Sequence, residues 1–444
     1  MATIEANPDL GARIVDDAKE YVLYSWSTQD AINPIAVAGA EGRHFWDYDG
    51  KRYLDFASQL VNVNIGHQHP KIIAAIKEQA DRLCTIGPPM ASESRSRLGK
   101  LLEEVTPGDL CMSFFTNSGA EANENAIKLA RLATGRHKII ARYRSYHGAT
   151  HGSIMLTGDP RRWPNEPGIG GVVHVLDPYH GPGRPVDDAE TALRYLEETI
   201  ELEGPATIAA FFLETVTGTN GILIPPEGYL QGVRELCDRY GILMVADEIM
   251  AGFGRTGEWF AIDHWGVVPD LITVAKGLTS SYLPLGAVGI RPHIADHFTD
   301  NVFWGGLTYN SHPMSVAAAI AVIDVMRSDD LVGNAKRMGE ILRGHHERMA
   351  ERHPSVGLHR NLGLFGVLEL VKSRETMEPL SPFNATNEVM GKLNRFLLDN
   401  GVYTMIRWNH VMTNPPLCIN EEELGEGFDV MDKALEIADQ AMET

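Results

Sequence analysis

Three short apolar runs in this 444-residue chain each end on ionisable side chains. Residues 207–213 (TIAAFFL) lead into Glu214, residues 242–246 (ILMVA) into Asp247 and Glu248, and residues 271–275 (LITVA) into Lys276. Runs so short and so free of polar residues suit strands buried on both faces of a parallel sheet, and ligands bind outside the carboxyl ends of such strands. Any one of these charges also fits the point where a strand leaves the core. Three in one sheet converge on a single crevice. A carboxylate and a partly desolvated lysine tune each other's pKa, and a lysine whose pKa is lowered becomes a nucleophile toward carbonyl carbon.

A fourth segment offers an anion site. Residues 112–116 read as a strand, 117–120 as a tight turn, and 121–134 as a helix with an apolar stripe at Ala122, Ala126, Leu129, Ala130 and Ala133. Ser118 is a natural N-cap, and Gly119 lets the backbone approach a ligand closely. The free N–H groups and positive dipole end of the helix favour a phosphate. Ser-Gly before a helix is also plain capping; here it belongs to the same sheet as the three charged strand ends. A phosphate cradle, a nucleophilic lysine and a strand-end aspartate are what pyridoxal 5'-phosphate uses. The lysine forms the Schiff base, the aspartate keeps the pyridine nitrogen protonated, and the cradle takes the phosphate.

The elements that must position these residues follow an α/β pattern. From 110 to 291 short β-branched or aromatic runs alternate with helical periodicity, which predicts a mostly parallel sheet covered by helices. Residues 324–351 and 385–400 read as amphipathic helices and 363–371 and 401–407 as strands, forming an α+β lobe. The expected division is an N-terminal segment, 1–75, contributing to the small domain and the site entrance, a large domain over 76–325, and a small domain over 326–444. Acidic side chains outnumber basic ones 59 to 39, a formal charge of -20, which argues against nucleic acid and anionic membrane surfaces as partners. No apolar run approaches a membrane span, and the first residues lack a basic start and an apolar stretch, so a cytoplasmic protein is expected. Cys84, Cys111, Cys237 and Cys418 are scattered, and His67, His69, His147, His151 and His312 show no metal-like spacing, so no metal site is expected.

The run Asp247-Glu248-Ile249-Met250-Ala251-Gly252-Phe253-Gly254-Arg255-Thr256-Gly257, followed by Asp270 and Lys276-Gly277, resembles the fold-type I, class III aminotransferases, the group of the omega-amino acid and amine transaminases. The resemblance covers nearly the whole chain. It implies a large domain with a seven-stranded type of sheet, a pyridoxal 5'-phosphate cofactor and a ping-pong exchange. In that exchange a primary amine or omega-amino acid is the donor, and pyruvate or 2-oxoglutarate is the acceptor. It assigns Lys276 and Asp247 as catalytic, Ser118, Gly119 and Ala120 to the phosphate, and Ile249 and Tyr146 to the two ring faces, with His147 and Glu214 beside them. Thr308 matches a threonine that reaches the phosphate from the neighbouring subunit, so a homodimer with shared sites is implied, and a tetramer is open. Arg407 lies near where the family keeps a mobile arginine for substrate carboxylates. Val61 stands where amine transaminases often carry a bulky Trp, which predicts a more open pocket wall, and Trp26 either closes that pocket or packs in the core. Taurine, beta-alanine and 4-aminobutyrate types are alternatives within the family, as is an aminomutase or decarboxylating relative. A non-catalytic scaffold would require damage at Lys276 or Asp247, and both are intact.

Overall fold

A computed structural model describes residues 6–179 and 188–442. The first sheet begins with β1 (Val37–Glu41), β2 (His44–Asp47) and β3 (Arg52–Asp55). The central sheet holds β4 (Met112–Thr116), β5 (Lys138–Arg142), β6 (Val172–Val175), β7 (Ile208–Glu214), β8 (Leu243–Asp247), β9 (Leu271–Val274) and β10 (Gly286–Ile290). Its seven strands lie in the order β4-β10-β9-β8-β7-β5-β6. Only β10 runs against its neighbours, pairing antiparallel with β4 and β9. β5 to β9 pair parallel.

Burial on both faces explains why these strands read as unbroken apolar runs. Along β8, Met244 and Ala246 join the core on one face of the sheet, while Leu243 and Val245 join the core on the other. On β7 all seven residues are buried. The run therefore ends only where the strand leaves the sheet, at Glu214, whose register partner on β8 is Asp247. Asp247 in turn faces Thr273 of β9, three residues before Lys276. The three charged strand ends are neighbours.

The remaining strands are β11 (Val356–Leu362), β12 (Phe365–Leu370), β13 (Val402–Tyr403), β14 (Ile406–Arg407) and β15 (His410–Thr413). β11, β12, β15 and β14 form a third sheet, whereas β13 completes the first by pairing parallel with β3. The strand expected over 401–407 is therefore two strands in two sheets. Its composition suits either, and the crossover at Thr404 is held by a tertiary contact in which the Thr404 hydroxyl donates to the Met412 carbonyl. The helix expected over 324–351 likewise divides, into Pro313–Ser328 and Leu331–Arg352. Asp330 takes a left-handed φ of 49° between them, and the first helix is buried on nearly every side, which blurs its periodicity.

Candidate active site

The carboxyl ends of β7, β8 and β9 and the start of the Gly119–Thr134 helix enclose a cavity of about 450 Å³. Its walls include Ser118, Gly119, Ala120, Tyr146, His147, Glu214, Asp247, Ile249 and Lys276, so nine of the residues singled out in the sequence meet there.

Asp247 is 3% exposed and closely held. Its Oδ2 accepts from Asn123 Nδ2 at 2.8 Å and lies 2.7 Å from His147 Nδ1, while Oδ1 accepts the Ile249 N–H at 3.0 Å. Asn123 is itself fixed, donating also to the His147 carbonyl and accepting from the Thr273 hydroxyl. A carboxylate gripped from behind in this way keeps its direction when a ligand binds. Glu214 accepts from the Tyr146 and Gly218 N–H groups at 2.9 and 2.8 Å. Burial pushes its carboxyl pKa up, with Asp247 adding to the rise and His147 opposing it.

Lys276 follows β9 in a short turn and has a left-handed φ of 33°. Non-glycine residues rarely hold that conformation, at a cost of about 1–3 kcal/mol, and it is found at sites that aim a side chain. Burial lowers the lysine pKa below its ordinary 10.5, and Arg161 lowers it further, while Asp247 and Glu214 raise it. The amine is thus shifted toward its neutral, nucleophilic form.

At the helix start Ser118 is the N-cap, its Oγ accepting the Glu121 N–H at 3.2 Å. A Cβ on Gly119 would lie 2.7 Å from Ile249, so glycine lets the helix start pack directly against the strand-end isoleucine. Gly148 turns at φ 130°, where a Cβ would meet Ala120 at 2.6 Å.

A profile of the class-III aminotransferases matches residues 26–435. The chain belongs to this family. The crystal structure of a taurine:2-oxoglutarate aminotransferase from Bifidobacterium kashiwanohense, in complex with PLP and glutamate, is 44% identical with a TM-score of 0.94, and each chain covers 100% of the other. A putrescine–pyruvate aminotransferase of Pseudomonas aeruginosa is 32% identical over 90% of both chains. A 4-aminobutyrate aminotransferase of Escherichia coli is 32% identical over 92% of this chain and 95% of its own.

As a class-III aminotransferase the chain is an enzyme with the fold-type I architecture, and the family depends on pyridoxal 5'-phosphate. The residues here fit that group. The cavity joins a lysine with a lowered pKa, a braced carboxylate, an aromatic ring and the free N-terminus of a sixteen-residue helix.

The remaining anticipated residues are not among those lining the cavity. Thr308 is exposed. Val61 is 1% exposed and packs in an apolar cluster that includes Met250, one of the wall residues, so it does not form the wall itself. Trp26 is 63% exposed, which removes the core-packing alternative, and stands edge-on to Tyr146 with centroids 6.3 Å apart. Arg407, on β14, reaches inward to Asp159 Oδ2 at 3.1 Å. Burial lowers its pKa to about 10, Arg161 contributing and Asp159 opposing.

Sequence reasoning missed Arg161. Its guanidinium lies over the Tyr146 ring at 3.6 Å from the centroid and donates to Thr219, a wall residue, at 2.8 Å. It sits in a short turn, Pro160–Asn165, with no periodic pattern to mark it. Only its charge within Asp159-Pro160-Arg161-Arg162 was visible.

Proposed function

We propose that this class-III aminotransferase moves an amino group from an omega-amino donor bearing an acidic end group, a sulfonate or carboxylate, to a 2-oxo acid by a ping-pong exchange. One observation carries the choice of donor: two guanidinium groups, Arg161 and Arg407, meet on one buried carboxylate beside Tyr146. Guanidinium forks match carboxylate and sulfonate oxygens, and nothing about an apolar amine would call for two of them. The likeness to a taurine:2-oxoglutarate aminotransferase supports the same reading, since taurine is an amine with a sulfonate end.

Ser118, Gly119 and Ala120 would hold the cofactor phosphate, Tyr146 and Ile249 its ring faces, Asp247 the proton on its ring nitrogen, and Lys276 its aldehyde carbon. When bound, pyridoxal 5'-phosphate supplies an electron sink for the carbon that gives up its proton. With its amine free, Lys276 would be the base that takes up and gives back that proton, a role its lowered pKa suits. Asp247 would keep the ring nitrogen protonated, and Asn123 and His147 hold its carboxylate in direction. Glu214 fixes the Tyr146 backbone and with it the ring.

Two copies would complete the site. Thr308 is exposed in a segment with exposed Val302, Trp304 and Tyr309, and Phe303 there packs on Phe114, two residues from exposed Met112. An apolar face of this kind fits a second copy of the chain, whose Thr308 would reach the phosphate.

A donor panel with 2-oxoglutarate as acceptor tests the reading. An omega-amino sulfonate and an omega-amino carboxylate should exceed an alkylamine of equal length in kcat/KM by about 10²-fold, as expected when a buried charged partner is missing. Equal values for charged and apolar donors would contradict it.

A further inference from the structure

Asp159 is fully buried at the junction of the two arginines. Its Oδ1 accepts the Arg161 backbone N–H at 3.0 Å and Arg161 Nε at 3.1 Å. Its Oδ2 accepts from Arg161 Nε at 3.0 Å, Asn220 Nδ2 at 3.3 Å and Arg407 Nη2 at 3.1 Å. The two arginines are held very differently. Arg161 is bidentate on Asp159, bonded to Thr219 and stacked on Tyr146. Arg407 has this one ion pair and a cation–π contact with Trp408 at 4.3 Å, and its Nε has no partner among the described residues.

We propose that Asp159 is a positioning residue with two effects: it fixes Arg161, and it acts as an internal anion that competes with the substrate's acidic group for Arg407. The proposal rests on the reading that substrates are acidic. A substrate anion reaching Arg407 competes with Asp159 for its guanidinium, and the Asp159 carboxylate repels the newcomer across a short, poorly screened gap. The same competition returns Arg407 to Asp159 when the acid leaves, so release of an acidic product is assisted. Asp159 thus sets how tightly acids are held, while the carbon undergoing reaction is handled by Lys276 and Asp247.

The test is equilibrium binding to the holoenzyme of glutarate and ethanesulfonate, which carry the acidic group but neither an amine nor a keto group. Asp159→Asn keeps the shape and one acceptor oxygen for Arg161 and removes the charge. Its affinity for both anions should rise about five-fold over wild type, while the KM for propylamine does not fall in parallel. Asp159→Glu, which restores the charge, should return affinity toward the wild-type value. If the Asn protein does not accumulate, Asp159→Ser removes the same charge with a smaller side chain and should shift affinity the same way. Unchanged or weaker anion binding in the neutral variants, or an equal gain for propylamine, would overturn the latch alone. A wild-type holoenzyme that binds neither anion would overturn the latch together with the acidic-donor reading.

Discussion

The cavity's chemistry depends on individual side chains whose environments, more than their identities, make them reactive. Lys276 is an ordinary amine placed where burial outweighs the attraction of Asp247 and Glu214. Because its pKa is lowered, the neutral fraction of the free amine grows as pH rises through a value below 10.5, so capture of pyridoxal 5'-phosphate by the cofactor-free protein should speed up with pH below the range of an ordinary lysine. A capture rate that rises only at or above 10.5 would contradict the shift. Lys276→Ala should abolish the visible band of the lysine-bound cofactor and turnover together. Asp247→Asn should retain the band and lose about 10²–10³-fold in kcat, the scale seen when a directed electrostatic partner is removed from a reacting centre. A loss under ten-fold would remove Asp247 from that role. On the proposed reading Arg161 and Arg407 would meet the substrate's acidic end, so replacing either by Ala should raise the KM of acidic donors far more than that of alkylamines.

The strands and helices present these residues in register, and here the sequence was most readable. β7, β8 and β9 were visible because burial on both faces leaves no polar interruption, and Glu214, Asp247 and Lys276 stood out as the first departures from that rule. The Gly119–Thr134 helix was visible through its stripe and its Ser118 cap. What stayed hidden depends on contacts between distant segments: Asn123 behind Asp247, Arg161 folded onto Tyr146, and β13 and β14 divided between two sheets. No local periodicity records such pairings. Two measurements address the elements. Phe212 on β7 is fully buried in the sheet core, so Phe212→Ala should cost about 3–5 kcal/mol in unfolding free energy. His346, on the Leu331–Arg352 helix, is buried with Nε2 2.9 Å from the Thr413 hydroxyl, and burial holds its pKa well below 6.5. Below pH 6.5 the unfolded chain takes up a proton that the folded chain refuses, so this residue makes stability fall as pH falls. His346→Gln should flatten the slope of unfolding free energy against pH below 6.5, and an unchanged slope would contradict the assignment.

Across the whole molecule, a formal charge of -20 accompanies a site that, on the proposed reading, takes a phosphate and acidic substrates. The helix N-terminus, Lys276, Arg161 and Arg407 supply the local positive elements, and Asp159 offsets part of them. Net charge therefore excludes polyanionic partners while leaving the sign of the cavity to a few buried groups. The exposed apolar residues Val302, Trp304 and Tyr309 bear on assembly. Light scattering should give twice the chain mass, and Trp304→Asp should shift the protein toward monomers that hold cofactor more weakly. A wild-type protein that is monomeric with full cofactor affinity would contradict the shared site. The most direct test of the central claim is a single-turnover absorbance measurement, mixing holoenzyme with an omega-amino sulfonate in the absence of acceptor. The band of the lysine-bound cofactor should disappear in one equivalent and return on addition of 2-oxoglutarate. A band that the acidic donor leaves unchanged, while an alkylamine of equal length discharges it, would contradict an acidic donor.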